Sequence, residues 1–485
     1  MRLPVGLILL GVASAAVYLY LTVEASFLEH FPGPGFTYEH FRLYGPDFEE
    51  RAALLLTASA ALFGLFALAL WLLRKPVEPG PAVVVIGGGA AAFAAILAFM
   101  YPPLAVDFVH NVSDARTFWE FGDNPLVTPP NAHPFPISQP YGGQPAPYGP
   151  LSFLLFFPVA FFGDEIELAL HFLKFYVSLY YLASALLIFL IARRLTPGRE
   201  VFALALYAWN PFVVLHVAGN GHNDVIMFFF VLLALWLLIN GQWRYAIPAL
   251  VASVLVKYAS LIALPPFLLA AFLMAEDRNA FWRETVIGGA LAGLLVLVTL
   301  GPFWEGIDTF DYVRDQQDKF VTSTPILVSR LLSAIPGVAI AAAGDIARWL
   351  GTVAFLAVYL ALLAWLWRAK GAYLALVGCV AGAMLALNLL ALTWFRPWYL
   401  LWPLTLLPLL PGRWPVALIF AISVPAMQAD VAEIYTYNAD WLREKELAQA
   451  AVQVVPTFGP AVAVLVAWWL SRDRFVALET KSEPG

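Results

Sequence analysis

Long apolar stretches alternate with short basic turns along most of the chain, a pattern that predicts a bundle of membrane-crossing helices. Runs of about twenty apolar residues, each able to cross a hydrocarbon core of ~30 Å, occupy 3–23, 52–73, 82–101, 168–192, 200–218, 286–303, 349–367 and 372–391. Shorter or proline-broken runs lie at 224–240, 245–256, 258–275, 398–410, 415–428 and 456–470. Together they predict an all-α polytopic membrane protein with about 14 crossings, several of them short and broken. One stretch interrupts the alternation. Residues 102–150 are polar and aromatic, proline-rich from 125 onward, and far longer than a connector between helices requires.

Composition agrees with the pattern. The chain is 61% hydrophobic and 12% charged, against roughly 25% charged residues in a soluble protein. Its single cysteine, Cys379, rules out a disulfide or a cysteine metal site within one chain. The apolar run to Val23 lacks a small-residue cleavage site and reads as a retained helix.

Charge orients the bundle. With residue 1 in the cytoplasm, the short basic turns fall inside: Arg74-Lys75, Arg193-Arg194, Arg244, Arg278 with Arg283, Arg368 with Lys370, Arg413, and a tail with Arg472 and Arg474. Both termini are then cytoplasmic, and the 102–150 segment is external. Only one crossing fits between that segment and Arg193-Arg194. The apolar run 151–162, broken by Pro158, is therefore expected to lie on or dip into the outer leaflet. All seven histidines (His30, His40, His110, His133, His171, His216, His222) fall in outer loops or at outer helix ends. The Pro79-Gly80-Pro81 turn suggests a boundary, giving two N-terminal helices (1–80), a core (81–415) and C-terminal helices with a tail (416–485).

Four polar clusters carry candidate chemistry. Asp107 opens the external segment as Asp107-Phe108-Val109-His110-Asn111. It is either an ordinary interfacial carboxylate or a general base made more basic by partial desolvation. The string Asn220-Gly221-His222-Asn223-Asp224 forms a second outer turn, with Asp224 placed to cap the following helix and His222 and Asn223 at a helix start that favours anions. Lys257 stands at the apex of a run that leaves the inner face and returns to it, and a lysine there needs water or an anion. Arg396, in Thr393-Trp394-Phe395-Arg396-Pro397-Trp398-Tyr399, is equally an aromatic-belt residue or a fork-shaped phosphate ligand. Two cations, a histidine turn and a carboxylate on one face imply an anionic substrate with an apolar tail, such as a lipid phosphate. No nucleotide-binding glycine pattern is present, and Gly87-Gly88-Gly89 reads as helix packing. Asp114, Glu120 and Asp123 read as a solvated loop face rather than a metal cage. No cofactor is expected, with a divalent metal left open, and no nucleic acid.

These strings resemble those of the GT-C superfamily of membrane glycosyltransferases, and in particular the polyprenol-phosphate-mannose-dependent mannosyltransferases of the lipomannan type and their glycosyltransferase family 87 relatives. The family's first external loop opens with an aspartate, runs to Gly-x-x-Pro and closes with Tyr-Gly-Pro-Leu. Asp107, Gly122-Asp123-Asn124-Pro125 and Tyr148-Gly149-Pro150-Leu151 are similar. Asn210-Pro211, Gly221-His222-Asn223-Asp224, Val256-Lys257 and Pro397-Trp398-Tyr399-Leu400-Leu401-Trp402-Pro403 look like further family strings, in the family's order. Where that loop has a tyrosine after the aspartate and Pro-Tyr after the glycine, this chain has His110 and Asn111, and Pro125-Leu126.

The resemblance implies inverting transfer of a sugar, mannose in that family, from a polyprenyl-phosphate donor to a glycan or glycolipid acceptor outside the cell membrane. Asp107 would be the base, and Lys257, Arg396 and His222 would hold the donor phosphate. His110, Asn223, Asp224, Tyr148, Trp398 and Tyr399 would line the substrate sites. The rival classes are a secondary transporter or flippase of lipid-linked saccharides, which would place its charges at midplane in paired halves, and a non-catalytic membrane scaffold.

Overall fold

The computed structural model describes residues 3–24, 48–75, 77–102, 107–135, 142–315, 319–442 and 444–471. His30 and His40, the basic tail at Arg472 and Arg474, Arg2, and the stretches 103–106 and 136–141 of the polar segment lie outside the described residues.

The chain is helical from end to end of that set. In order, the α-helices are α1 (Leu3–Glu24), α2 (Phe48–Leu72), α3 (Pro79–Leu97), α4 (Asp107–Trp119), α5 (Pro150–Leu155), α6 (Phe157–Ala160), α7 (Ile166–Leu195), α8 (Glu200–Ala208) and α9 (Pro211–Val214). There follow α10 (Asp224–Ile239), α11 (Trp243–Val256), α12 (Leu264–Met274), α13 (Arg278–Leu300), α14 (Asp311–Asp315) and α15 (Thr324–Ser333). The last are α16 (Ile340–Arg368), α17 (Tyr373–Ala386), α18 (Leu401–Leu406), α19 (Arg413–Asn438) and α20 (Glu446–Leu470). Among the described residues the only β pairing is an isolated bridge between Val321 and Trp394. The all-α polytopic reading is borne out.

Nine of these helices are long and apolar enough to cross a membrane, or ten if α8 and the bent stretch Pro211–Gly219 count as one span. The shorter apolar runs also fold as helices, α10, α11 and α12 among them. The 151–162 run is two short helices, α5 and α6, neither approaching the length of a span. Phe153, Phe156 and Val159 point into the protein, while Phe157 and Phe161 stay exposed.

Two compact units make up the chain: Met1–Leu261 with Glu284–Gln316, and Ile262–Arg283 with Gln317–Gly485. In the first, α1 packs against α2 and α3, and α7 against α8 and α10. The glycine triplet has a packing role at one position. A Cβ at Gly89 would stand 2.8 Å from the Trp209 indole, whose Nε1 donates to the Ile86 carbonyl at 2.9 Å. Gly87 and Gly88 face open space.

The chain breaks wherever the sequence supplies a reason. Trp209 ends α8, the Asn210 side chain accepts from Phe212 N–H at 3.0 Å, and Pro211 starts the next turn at 51° to the last. A single π-turn, Leu215–Gly219, leads to Gly221, whose φ of 73° is a left-handed conformation that favours glycine.

The described residues of the polar segment hold more structure than their composition predicts. Its opening is not a loop but α4, in which all residues from Phe108 to Thr117 are buried. Asp114, expected on a solvated face, is fully buried and lies 3.5 Å from His110 one turn earlier. Polar side chains mask the helical period here, because this face packs against α5, α6 and α7 instead of lipid. Other described residues of the segment are pinned by apolar and polar contacts. Leu126, Ala146, Phe153 and Phe303 form a small core, and Asn124 Nδ2 donates to the Phe303 carbonyl at 3.0 Å. Arg116 reaches Glu120 and, at 3.1 Å, Asp164 beyond α6.

Candidate active site

The first compact unit clusters six of the sequence-selected residues: Asp107, Tyr148, His222, Asn223, Asp224 and Lys257. Asp107 begins α4, and its Oδ2 accepts a hydrogen bond from the Tyr148 hydroxyl at 3.0 Å. Tyr148 lies two residues before α5, and Gly149 N–H donates to the Val256 carbonyl at 3.1 Å, which docks the end of the polar segment against the end of α11. The next residue after α11 is Lys257. It breaks the helix with extended backbone torsions, and its Nζ lies 5.2 Å from the Tyr148 ring centroid. The ring of one tyrosine therefore faces the ammonium while its hydroxyl holds the carboxylate.

Lys257 Nζ also donates to Asp224 Oδ1 at 2.7 Å. This corrects the capping role expected for Asp224. Asn223 is the residue preceding α10, with no side-chain cap, and Asp224 sits in the first turn with its carboxylate turned to the lysine. A buried ion pair of this kind is costly to break, because either partner alone leaves a charge without compensation. Asn223 turns elsewhere. Its Nδ2 donates to Ser152 Oγ at 3.1 Å and to Asn111 Oδ1 at 3.4 Å, tying the turn to α5 and α4.

His222 Nδ1 stands 3.9 Å from Asp107 Oδ2, too far for a hydrogen bond. Burial holds the imidazole far below its ordinary pKa, with His216 and Lys257 adding to the effect, so the ring beside Asp107 is neutral. Its backbone N–H donates to the His216 carbonyl, and the two rings lie 5.6 Å apart.

Exposure separates the two carboxylates. The Asp107 side chain is 21% exposed, whereas Asp224 and His222 are 1% and Lys257 10%. Asp107 is open to solvent, whereas Asp224 is closed off and bonded to a cation. The chemistry available is a hydrogen-bonded, accessible carboxylate beside a neutral imidazole and, across an aromatic ring, a lysine already carrying one counter-ion.

The remaining selected residues fall differently. His110 is buried in α4 against Asp114. Arg396, Trp398 and Tyr399 belong to the second unit, so the sequence-selected set is divided. There Arg396 Nη1 donates to both Glu433 oxygens, at 3.1 and 3.4 Å, with the Trp394 ring 5.4 Å away. Tyr399 stacks on Trp402 at 4.8 Å, and Trp398 is buried. No group of three or more potential metal ligands occurs among the described residues. Sequence inspection missed Asn111 and Ser152, which hold Asn223, and Lys174, buried within α7.

Residues 117–274 match the model of the MptA_B family, described as Alpha-(1->6)-mannopyranosyltransferase, N-terminal domain. The matched stretch contains Tyr148, His222, Asn223, Asp224 and Lys257, and begins ten residues after Asp107. No curated protein matches the chain. The family match bears out the resemblance to GT-C mannosyltransferases of the family-87-like kind and supports a glycosyltransferase that moves mannose.

Proposed function

We propose that this mannosyltransferase-domain protein takes mannose from a polyprenyl-phosphate donor and passes it, with inversion, to a glycan or glycolipid acceptor on the external membrane face. The observation that carries the reading is the accessible Asp107 carboxylate, held by Tyr148 within the same cluster as the Asp224–Lys257 pair. Asp107 removes the proton of the acceptor hydroxyl as its oxygen bonds to the anomeric carbon. The bond from that carbon to the donor phosphate oxygen breaks, and its electron pair leaves with the polyprenyl phosphate.

Charge develops on the sugar ring and on the departing phosphate, so catalysis depends on groups aimed at both. Lys257, held by Asp224, supplies positive charge to the phosphate. His222, being neutral, serves as a hydrogen-bond donor rather than a cation. For Arg396, Trp398 and Tyr399 the proposed role is engagement of the donor, with Glu433 orienting the guanidinium. His110, Asn223 and Asp224 shape the substrate side of the cluster. A basic, aromatic site for a lipid phosphate suits a protein already built as a membrane bundle, and it needs no nucleotide.

The test is transfer from radiolabelled polyprenyl-phosphate mannose to a mannan acceptor by the purified full-length protein in lipid nanodiscs. The wild type transfers label and Asp107→Asn loses about 100- to 10,000-fold, the usual contribution of a general base, while still binding donor. Use of a nucleotide-mannose in place of the lipid donor, passage of the lipid-linked sugar across the bilayer without transfer, or full activity in Asp107→Asn would overturn the reading.

A further inference from the structure

Lys174 lies in the third turn of α7 with no exposed surface. Among the described residues no carboxylate pairs with it. Burying an ammonium without an anion costs several kcal/mol unless fixed dipoles replace its water. Here the dipoles are backbone carbonyls at the C-terminal end of α3. Lys174 Nζ donates to the Leu97 carbonyl at 2.6 Å and to that of Met100. One turn earlier on α7, His171 Nδ1 meets the carbonyl between them, that of Ala98, at 3.0 Å. A helix C-terminus favours a cation, and the Leu97 carbonyl accepts from Met100 N–H at 3.1 Å as well.

Two further contacts link this clamp to the candidate active site. The Tyr101 ring, adjacent to the clamped Met100, packs edge-on against Phe108 at 6.0 Å, and Phe108 follows Asp107. Gly221, which precedes His222, is pressed against both: a Cβ there would lie 3.3 Å from Phe108 Cβ and 3.5 Å from Lys174 Cγ. The lysine stem thus touches the His222 turn while its ammonium holds the helix that leads to Asp107.

We infer that Lys174 and His171 are positioning residues, which set the Asp107 carboxylate against His222 by fixing the α3 end and the Gly221 turn together. The inference rests on Asp107 being the base. A shift of about 1 Å in a reacting group can cost about 100-fold in rate, so a clamp on its supporting backbone acts on turnover rather than on donor binding.

Two sets of full-length variants test this in nanodiscs, with kcat expressed per folded molecule. Lys174→Met removes the ammonium and keeps the stem. His171→Leu removes the donor to Ala98, and His171→Asn restores one at the Nδ1 position. Positioning predicts at least a tenfold fall in kcat for Lys174→Met and a smaller fall for His171→Leu, with substantial recovery in His171→Asn. The donor KM should stay within about twofold throughout, because Lys257 and Asp224 are untouched.

A merely structural role would lower the folded yield and leave kcat per folded molecule at the wild-type value, overturning the inference. Should Lys174→Met not fold, the His171 pair decides alone: equal kcat in Leu and Asn variants overturns it. Asp107→Asn runs alongside. If that variant turns over normally, the assignment of the base has failed; if it is inactive while the clamp variants are normal, only the clamp has failed.

Discussion

Gly149 donates its backbone N–H to the carbonyl of Val256 at 3.1 Å, and the residues beside them, Tyr148 and Lys257, meet ring to ammonium as a result. The approach leaves no room for a side chain. A Cβ on Gly149 would lie 2.1 Å from the Leu255 carbonyl oxygen. Gly149→Ala is therefore expected to push the polar segment off α11 and reduce transfer at least about 100-fold, with a lowered thermal midpoint. Gly143→Ala in the same segment meets only the Asn131 amide, at 3.6 Å, and should retain activity and stability. Parallel activity and melting measurements separate the two.

Tyr148→Phe keeps the ring over Lys257 and removes only the hydroxyl bonded to Asp107. A hydrogen bond to a charged group contributes about 1.5–3 kcal/mol, equivalent to roughly 10- to 100-fold in rate. The expected outcome is a fall in kcat of that size with the donor KM little changed. A rise in KM at constant kcat would mean that the hydroxyl binds donor instead of holding Asp107.

The Asp224–Lys257 pair is suited to a double-mutant cycle. Asp224→Asn and Lys257→Met each strand a buried charge or donor, at a cost of about 3–5 kcal/mol, visible as a lowered midpoint. The double variant should recover much of the stability and none of the activity, because the cation proposed for the phosphate is gone. Additive losses of stability would show that the two side chains act independently.

Asp114 gives stability a pH dependence of known sign. Burial pushes its carboxyl from the ordinary 3.8 up to about 6, with His110 opposing. The folded state thus favours the protonated form. That stabilisation is fully present below about pH 4 and is lost as pH rises through 6, where ionising the buried group costs roughly 3 kcal/mol. Asp114→Asn should melt higher than the wild type at pH 8, and the two should converge near pH 4. An unchanged difference across that range would remove Asp114 as the titrating group.

The sequence is legible where lipid is the solvent. Each long apolar run became a helix because every backbone polar group in a bilayer must be satisfied within its own segment. Asp107, His222 and Lys257 were visible as polar groups at helix ends, where their cost demands a reason. Lys174 obeys the same rule within the 168–192 run, and the lone lysine was itself the signal. Helix α4 was hidden because His110, Asn111, Ser113, Asp114 and Arg116 make its buried face polar, leaving no apolar stripe to reveal the period. The partners of Asp224 and Arg396 are set by contacts 33 and 37 positions away, which no local pattern carries.

The Asp224–Lys257 pair also bears on how the α10–α11 hairpin stays shut. The two residues stand at the start of α10 and just after the end of α11, so they come together only when the hairpin between them is closed. Opened, the hairpin would leave two charges uncompensated beside helices of only 16 and 14 residues. Closed, it presents a neutral pair, so the salt bridge latches the start of α10 to the end of α11.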